Sequence, residues 1–89
     1  MKANKKGRIV VDYRFLKEHP EAVLRLFAEI GFLPIRVNHD MFCDTTEYAG
    51  YSESFRETAD GELAPVYRVL CEAGENNEIV RVWVEETKE

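Results

Sequence analysis

Two β-prone runs near the end of the chain, Val66 to Glu72 and Glu78 to Glu85, flank the segment Gly74-Glu75-Asn76-Asn77. Branched and aromatic residues on either side of a short Gly/Asn stretch specify a β-hairpin with a four-residue loop. Pairing Ala73 with Glu78 sets its register. Cys71 then faces Val80, Val69 faces Val82 and Tyr67 faces Val84 on one side of the ribbon. The other side carries Glu72 opposite Ile79, Leu70 opposite Arg81 and Arg68 opposite Trp83. The first side is apolar and should pack against a helix. A slip of one residue would mix the two sides, so the pattern itself defends the register.

That helix is predicted to begin at Pro20. A proline is tolerated in a first turn, where its missing N–H would be unpaired anyway. Glu21 suits the positive end of the helix dipole. Val23, Phe27 and Ile30 recur at helical spacing, flanked by Leu24 and Leu26, and make a wide apolar stripe. Gly31 stands where a C-terminal cap belongs, and Pro34 follows. Arg14 to Glu18 could form a short separate turn, or Tyr13 to His19 could be loop.

The remaining elements are strands. Ile9-Val10-Val11 is β-branched and apolar throughout, which suits burial on both faces. Leu33, Ile35 and Val37 alternate with Pro34, Arg36 and Asn38. This strand belongs near an edge, because Pro34 cannot donate to a ladder. Thr45 to Tyr51 is a third strand, weakened by Gly50. Ser52 to Arg56 could form one helical turn, and Asp60-Gly61 marks a turn.

The order is therefore β-α-β-β-β-β. It predicts an α+β fold, a single helix packed on one face of a mostly antiparallel four- to five-stranded sheet. The first two strands could lie side by side and parallel through a right-handed crossover. A chain of 89 residues has room for one core. Residues 1–7, rich in lysine, are expected to be a flexible basic arm, and residues 8–89 a single domain.

Several chemistries are excluded by pattern. The five glycines are isolated, so neither a dinucleotide fingerprint nor a phosphate-binding loop can be drawn. No nucleophile elbow is present. Two cysteines, Cys43 and Cys71, are too few for a disulfide framework or a four-ligand zinc site, although a bridge between them is compatible with the sequence. No apolar stretch approaches the ~20 residues of a membrane span. The basic start lacks the apolar run of a secretory signal. A cytoplasmic protein with reduced thiols and no cofactor is expected.

One polar cluster deserves a chemical reading. His39, Asp40, Cys43, Asp44 and Glu47 fall within nine positions. A loop folding back could bring the carboxylates onto a divalent ion, as in a metal-dependent hydrolase centred on His39, Asp40, Asp44 and Glu47. The spacing matches neither a closed zinc site nor a calcium loop. An acidic connector after an edge strand explains the same residues.

Charge is distributed unevenly. Lys2, Lys5, Lys6 and Arg8 precede any acid, whereas residues 37–67 hold seven acids against Arg56 alone. The net charge is −5. A body of this kind repels phosphate backbones and favours basic partners. Tyr48, Tyr51 and Phe55 interleave with the acids, and Trp83 and Arg81 are residue types enriched at interface hot spots. The expected function is thus a non-catalytic, acidic protein-binding module. It would be an inhibitor or adaptor docking on a basic partner that handles nucleic acid, and its small, acidic, motif-free composition is of the kind common among accessory proteins of phages and mobile elements. Its contact residues would be Asp40, Asp44, Glu47, Tyr48, Tyr51, Glu53, Glu57, Arg68, Arg81 and Trp83. The alternative is a nucleic-acid-binding module using the basic arm and the Arg68/Arg81/Trp83 face. A homodimer could form if the last strand, Ile79 to Val84, pairs with another copy, unless Arg81 and the terminal glutamates block that edge.

Overall fold

The computed structural model describes residues 5–59 and 61–87. The chain begins with β1 (Lys6–Asp12), which starts inside the stretch expected to be a free arm; Lys2 lies outside the described residues. Two helices follow, α1 (Tyr13–Glu18) and α2 (Pro20–Ile30). Then come β2 (Leu33–Asp40), β3 (Thr45–Tyr51), β4 (Val66–Ala73) and β5 (Ile79–Glu86). The fold is α+β, with two helices where one was expected.

The extra helix has a local cause. The Asp12 carboxylate accepts hydrogen bonds from the N–H groups of Arg14 (2.8 Å) and Phe15 (3.4 Å), which starts α1 directly after the strand. His19 N–H closes onto the Phe15 carbonyl at 2.8 Å, and Pro20 then opens α2. At the far end Gly31 adopts φ +65°, and its N–H returns to the carbonyls of Phe27 and Ala28. That left-handed cap is cheap for glycine alone.

The five strands lie in the order β2-β3-β1-β4-β5. Only β1 and β4 run parallel; the other three pairings are antiparallel. The first two strands, which the sequence allowed but did not require to be neighbours, are not adjacent. β3 lies between them, and the parallel neighbour of β1 is β4.

Side chains alternate across this sheet. Ile9 and Val11 of β1, Thr46 and Tyr48 of β3, and Tyr67 and Val69 of β4 face the helices. There they meet Val23 and Phe27 of α2, with Phe32 and Phe55 completing the core. Ile9 and Val11 are wholly buried. Arg8, Val10, Glu47, Arg68, Leu70 and Trp83 occupy the opposite face, which neither helix covers. Phe55, expected among the exposed rings, is instead buried. A turn closed by its N–H on the Ser52 carbonyl (3.1 Å) tucks it under the connector after β3.

The β4–β5 hairpin forms, with a register two residues away from the expected one. Cys71 faces Val82, Val69 faces Val84, Leu70 faces Trp83 and Arg68 faces Glu85. Two features absorb the difference. Glu75–Asn77 makes a 3-10 turn with Asn76 at φ +64°, closed by Gly74 N–H on the Glu78 carbonyl at 2.8 Å. Val80 is then an extra, bulged residue between the Ala73–Ile79 and Glu72–Arg81 pairs. From Tyr67 to Glu72 the even shift leaves the paired residues on their expected sides, so the apolar face survives; beyond the bulge, Ala73 opposite Ile79 and the exposed Val80 depart from it.

Candidate functional site

The outer strand β2 is built unlike the other four. All eight of its residues are exposed. Leu33, Ile35 and Val37 are 67%, 71% and 55% accessible. Beyond the strand, Met41 and Phe42 of the β2–β3 turn are exposed almost completely. Isolated exposed apolar residues are ordinary, but here five fall along one edge strand and its turn.

Local chemistry holds the strip in place. The Asp40 carboxylate accepts from Phe42 N–H at 2.9 Å and Cys43 N–H at 3.2 Å. Both bonds go to one carboxylate oxygen, Oδ1, so Oδ2 has no backbone donor. These backbone bonds, Cys43 first, hold the Asp40 carboxyl below the usual aspartate range. Asp44 completes the turn at φ +53°, and its carbonyl accepts from Tyr13 N–H at 2.9 Å. Phe42 is thereby turned outward on a bonded loop.

At the other end, the β2–β3 register shifts between Pro34 and Arg36, leaving Ile35 as the bulged residue. Gly50 explains how β3 tolerates this. A β-carbon there would run into the Leu33 carbonyl, so only glycine lets the bulged backbone approach. From Arg36 to Asp40 the ladder is regular. Arg36, Asn38 and Asp40 face the open side, and Val37 and His39 the helix side.

The polar cluster read from the sequence does not assemble. His39 Nδ1 lies 3.3 Å from Thr46 Oγ1, its Nε2 lies 3.9 Å from Asp44 Oδ1, and its ring meets Tyr13 edge-on at 4.8 Å. Asp40 is committed to the turn. Glu47 faces the opposite side of the sheet, 3.9 Å from Arg8. No group of three or more His, Cys, Asp or Glu among the described residues is placed to hold a metal ion. Cys43 and Cys71 are both free and exposed, with no bridge between them.

The other expected contact residues fall in separate places. Tyr48 is half-buried with its ring 5.0 Å from Phe27, and burial raises its phenol pKa. Tyr51 is half-exposed at the end of β3. Glu53 pairs with Lys5 at 3.2 Å. Glu57 is exposed on the connector, where Glu62 and Glu86 hold Arg56 at 3.2 and 3.0 Å. Arg68, Arg81 and Trp83 do share the uncovered face. The Arg81 guanidinium lies over the Trp83 ring, 4.6 Å from its centre, and Trp83 Nε1–H donates to Glu85 at 3.0 Å.

The second outer strand, β5, is better guarded. It carries the Val80 bulge together with Arg81, Glu85 and Glu86 along its length. Bulges and charges are the usual devices that discourage strand pairing. The exposure of Leu33, Ile35, Val37, Met41 and Phe42 was not foreseen. The signal for it is the apolar alternation on a strand that Pro34 confines to an edge.

No family model, curated protein or solved structure matches the chain. The site therefore rests on its own geometry. No helix among the described residues is long and apolar enough to cross a membrane.

Proposed function

We propose that the chain is a non-catalytic protein-binding module that engages its partner through the edge of β2. One observation carries this reading: an outermost strand that is exposed at every position and bears Leu33, Ile35 and Val37, continued by Met41 and Phe42. An extended segment can add itself to such an edge, gaining main-chain hydrogen bonds while the exposed side chains set specificity. The carboxylates of Asp40 and Asp44 lie beside the strip, so basic side chains of a partner would find negative charge next to apolar surface. An inhibitor or adaptor would work by occupying its partner in this way.

A photoreactive amino acid placed at Ile35 or Phe42 in living cells tests the reading. Discrete covalent adducts are expected at both positions and not with the same probe at Arg68, on β4 and away from the β2 edge. No adduct at either position would refute it.

A nucleic-acid-binding role has one observation in its favour. Arg36 and Arg68 make no ion pair with a described residue, and they share the uncovered face with Arg8, Arg81 and Trp83. A stacking platform needs a free ring face, whereas the Trp83 ring already carries Arg81 and its N–H is taken by Glu85. Retention of single-stranded DNA or RNA on a filter at low salt would support this second role, and its absence would dismiss it.

A further inference from the structure

We propose that the segment added to β2 is β2 of a second copy of this chain, paired antiparallel about a two-fold axis at Asn38. The inference rests on β2 being a protein interface and names its occupant.

Symmetry restricts the choices. A two-fold axis perpendicular to a continuous sheet keeps each face of one copy on the same side as that face of the other. Directly opposed residues of an antiparallel pair also share a side. The axis must therefore pass through a residue position, so that open-side residues meet open-side residues. Within Leu33–Asp40, four centres leave a useful ladder: Arg36, Val37, Asn38 and His39.

Sequence and geometry separate these four. Centring on Arg36 sets two guanidinium groups against each other and brings Pro34, which has no N–H, opposite Asn38. Centring on Val37 puts Pro34 opposite Asp40 and the bulged Ile35 opposite His39. Centring on His39 runs the ladder into the Met41–Asp44 turn, whose backbone is already bonded to Asp40. Centring on Asn38 uses only the regular stretch Arg36–Asp40 and leaves both Pro34 and Ile35 outside it.

That centre also satisfies charge. Arg36 falls opposite Asp40 of the other copy, and by symmetry this happens twice. Both residues face the open side of the sheet. Arg36 has no ion-pair partner among the described residues, and the Asp40 carboxylate takes both of its backbone bonds on Oδ1. Exposed pairs of this kind are individually weak, so their main effect is to choose the register. Beyond them, Ile35 comes opposite Met41 of the second copy, and Leu33 and Pro34 lie near its Phe42. Leu33 and Ile35 thus come near Phe42 and Met41 at both ends of the ladder, with Val37 opposite His39 between them, and the product is one ten-stranded sheet.

The test uses the full chain and the mass of the particle in solution. Sedimentation across a wide concentration range is expected to reach twice the 10.3 kDa chain mass. Arg36→Asp alone and Asp40→Arg alone should each remain at the single-chain mass, because each opposes like charges twice. Mixing those two variants should restore the doubled mass, since every contact between them is then complementary. Because Asp40→Arg also disturbs the turn, a second route avoids it. Asn38→Cys with Cys43→Ser and Cys71→Ser should oxidise to a covalent dimer, while Leu63→Cys on the same background should not. A single-chain mass at every concentration, Arg36→Asp dimerising like the parent, or failure of Asn38→Cys to cross-link would each overturn self-pairing. An adduct to a different protein at Ile35, with the purified chain staying single, would overturn self-pairing while leaving β2 a protein interface.

Discussion

Phe55 lies flat on Tyr67, their ring centres 4.2 Å apart and their planes within 9° of parallel. The pair rests on Gly7 of β1, where an added β-carbon would come within 2.5 Å of the Phe55 ring and 3.0 Å of Tyr67. Three segments distant in sequence thus meet at one point, and the connector between β3 and β4 is fastened there.

Phe55→Ala should destabilise the fold by about 3–5 kcal/mol, the range for deleting a buried aromatic ring. Gly7→Ala should also destabilise, because the rings it meets are packed on both sides. Urea unfolding followed by far-ultraviolet circular dichroism measures both, and a midpoint unchanged for Phe55→Ala would refute the packing described.

The Arg81–Trp83 contact has a direct optical reporter, since Trp83 is the chain's single tryptophan. Arg81→Ala should change its emission maximum and quantum yield while costing at most about 0.5–1 kcal/mol of stability, the size of an exposed cation–π contact. Identical emission in the two proteins would mean that the guanidinium does not rest on the ring.

Asp40 should make the β2–β3 turn sensitive to acid. Its carboxyl titrates lower in the folded chain than in the unfolded chain, so protonation favours unfolding. The stabilisation is present in full above the unfolded-state aspartate value of about 3.9 and is lost as pH falls through the lower folded-state value. In nuclear magnetic resonance spectra, the amide signals of Phe42 and Cys43 should shift with a midpoint below that value. Asp40→Asn should abolish the titration.

Ile35→Lys and Val37→Lys, made together, should leave the unfolding free energy from urea titration within about 0.5 kcal/mol of the parent, as exposed substitutions usually do. The same change should abolish adducts formed through a probe at Phe42. A large loss of stability would show instead that these side chains serve the chain's own core.

Much of this architecture was legible in local signals. Pro20 and Gly31 bracket α2 because each suits one end of a helix and neither suits its middle. The alternation of Val69, Cys71, Val82 and Val84 fixed the faces of the last hairpin. Its register was less accessible, because Asn76 in a left-handed conformation and the bulge at Val80 add length that no residue count reveals. Strand order was hidden for a different reason. Placing β3 beside β1, and β4 on the other flank, depends on contacts between residues some thirty to sixty positions apart. The contact strip was half visible. Pro34 pointed to an edge, but the exposure of Leu33, Ile35 and Val37 follows from the absence of any strand or helix outside them, which is a property of the whole sheet.

The position of β1 bears on how the molecule comes together. It is the first strand to be made, and its two neighbours, Thr45–Tyr51 and Val66–Ala73, are made much later. The hairpins β2–β3 and β4–β5 can each zip locally, but within the sheet they meet only through this early strand. Assembly therefore waits on ring closures over long stretches of chain, which slows it relative to a meander of the same size. By the same logic, a chain shortened past Asp12 would be left as two unconnected ribbons, and a synthetic peptide spanning the missing strand should splint them together.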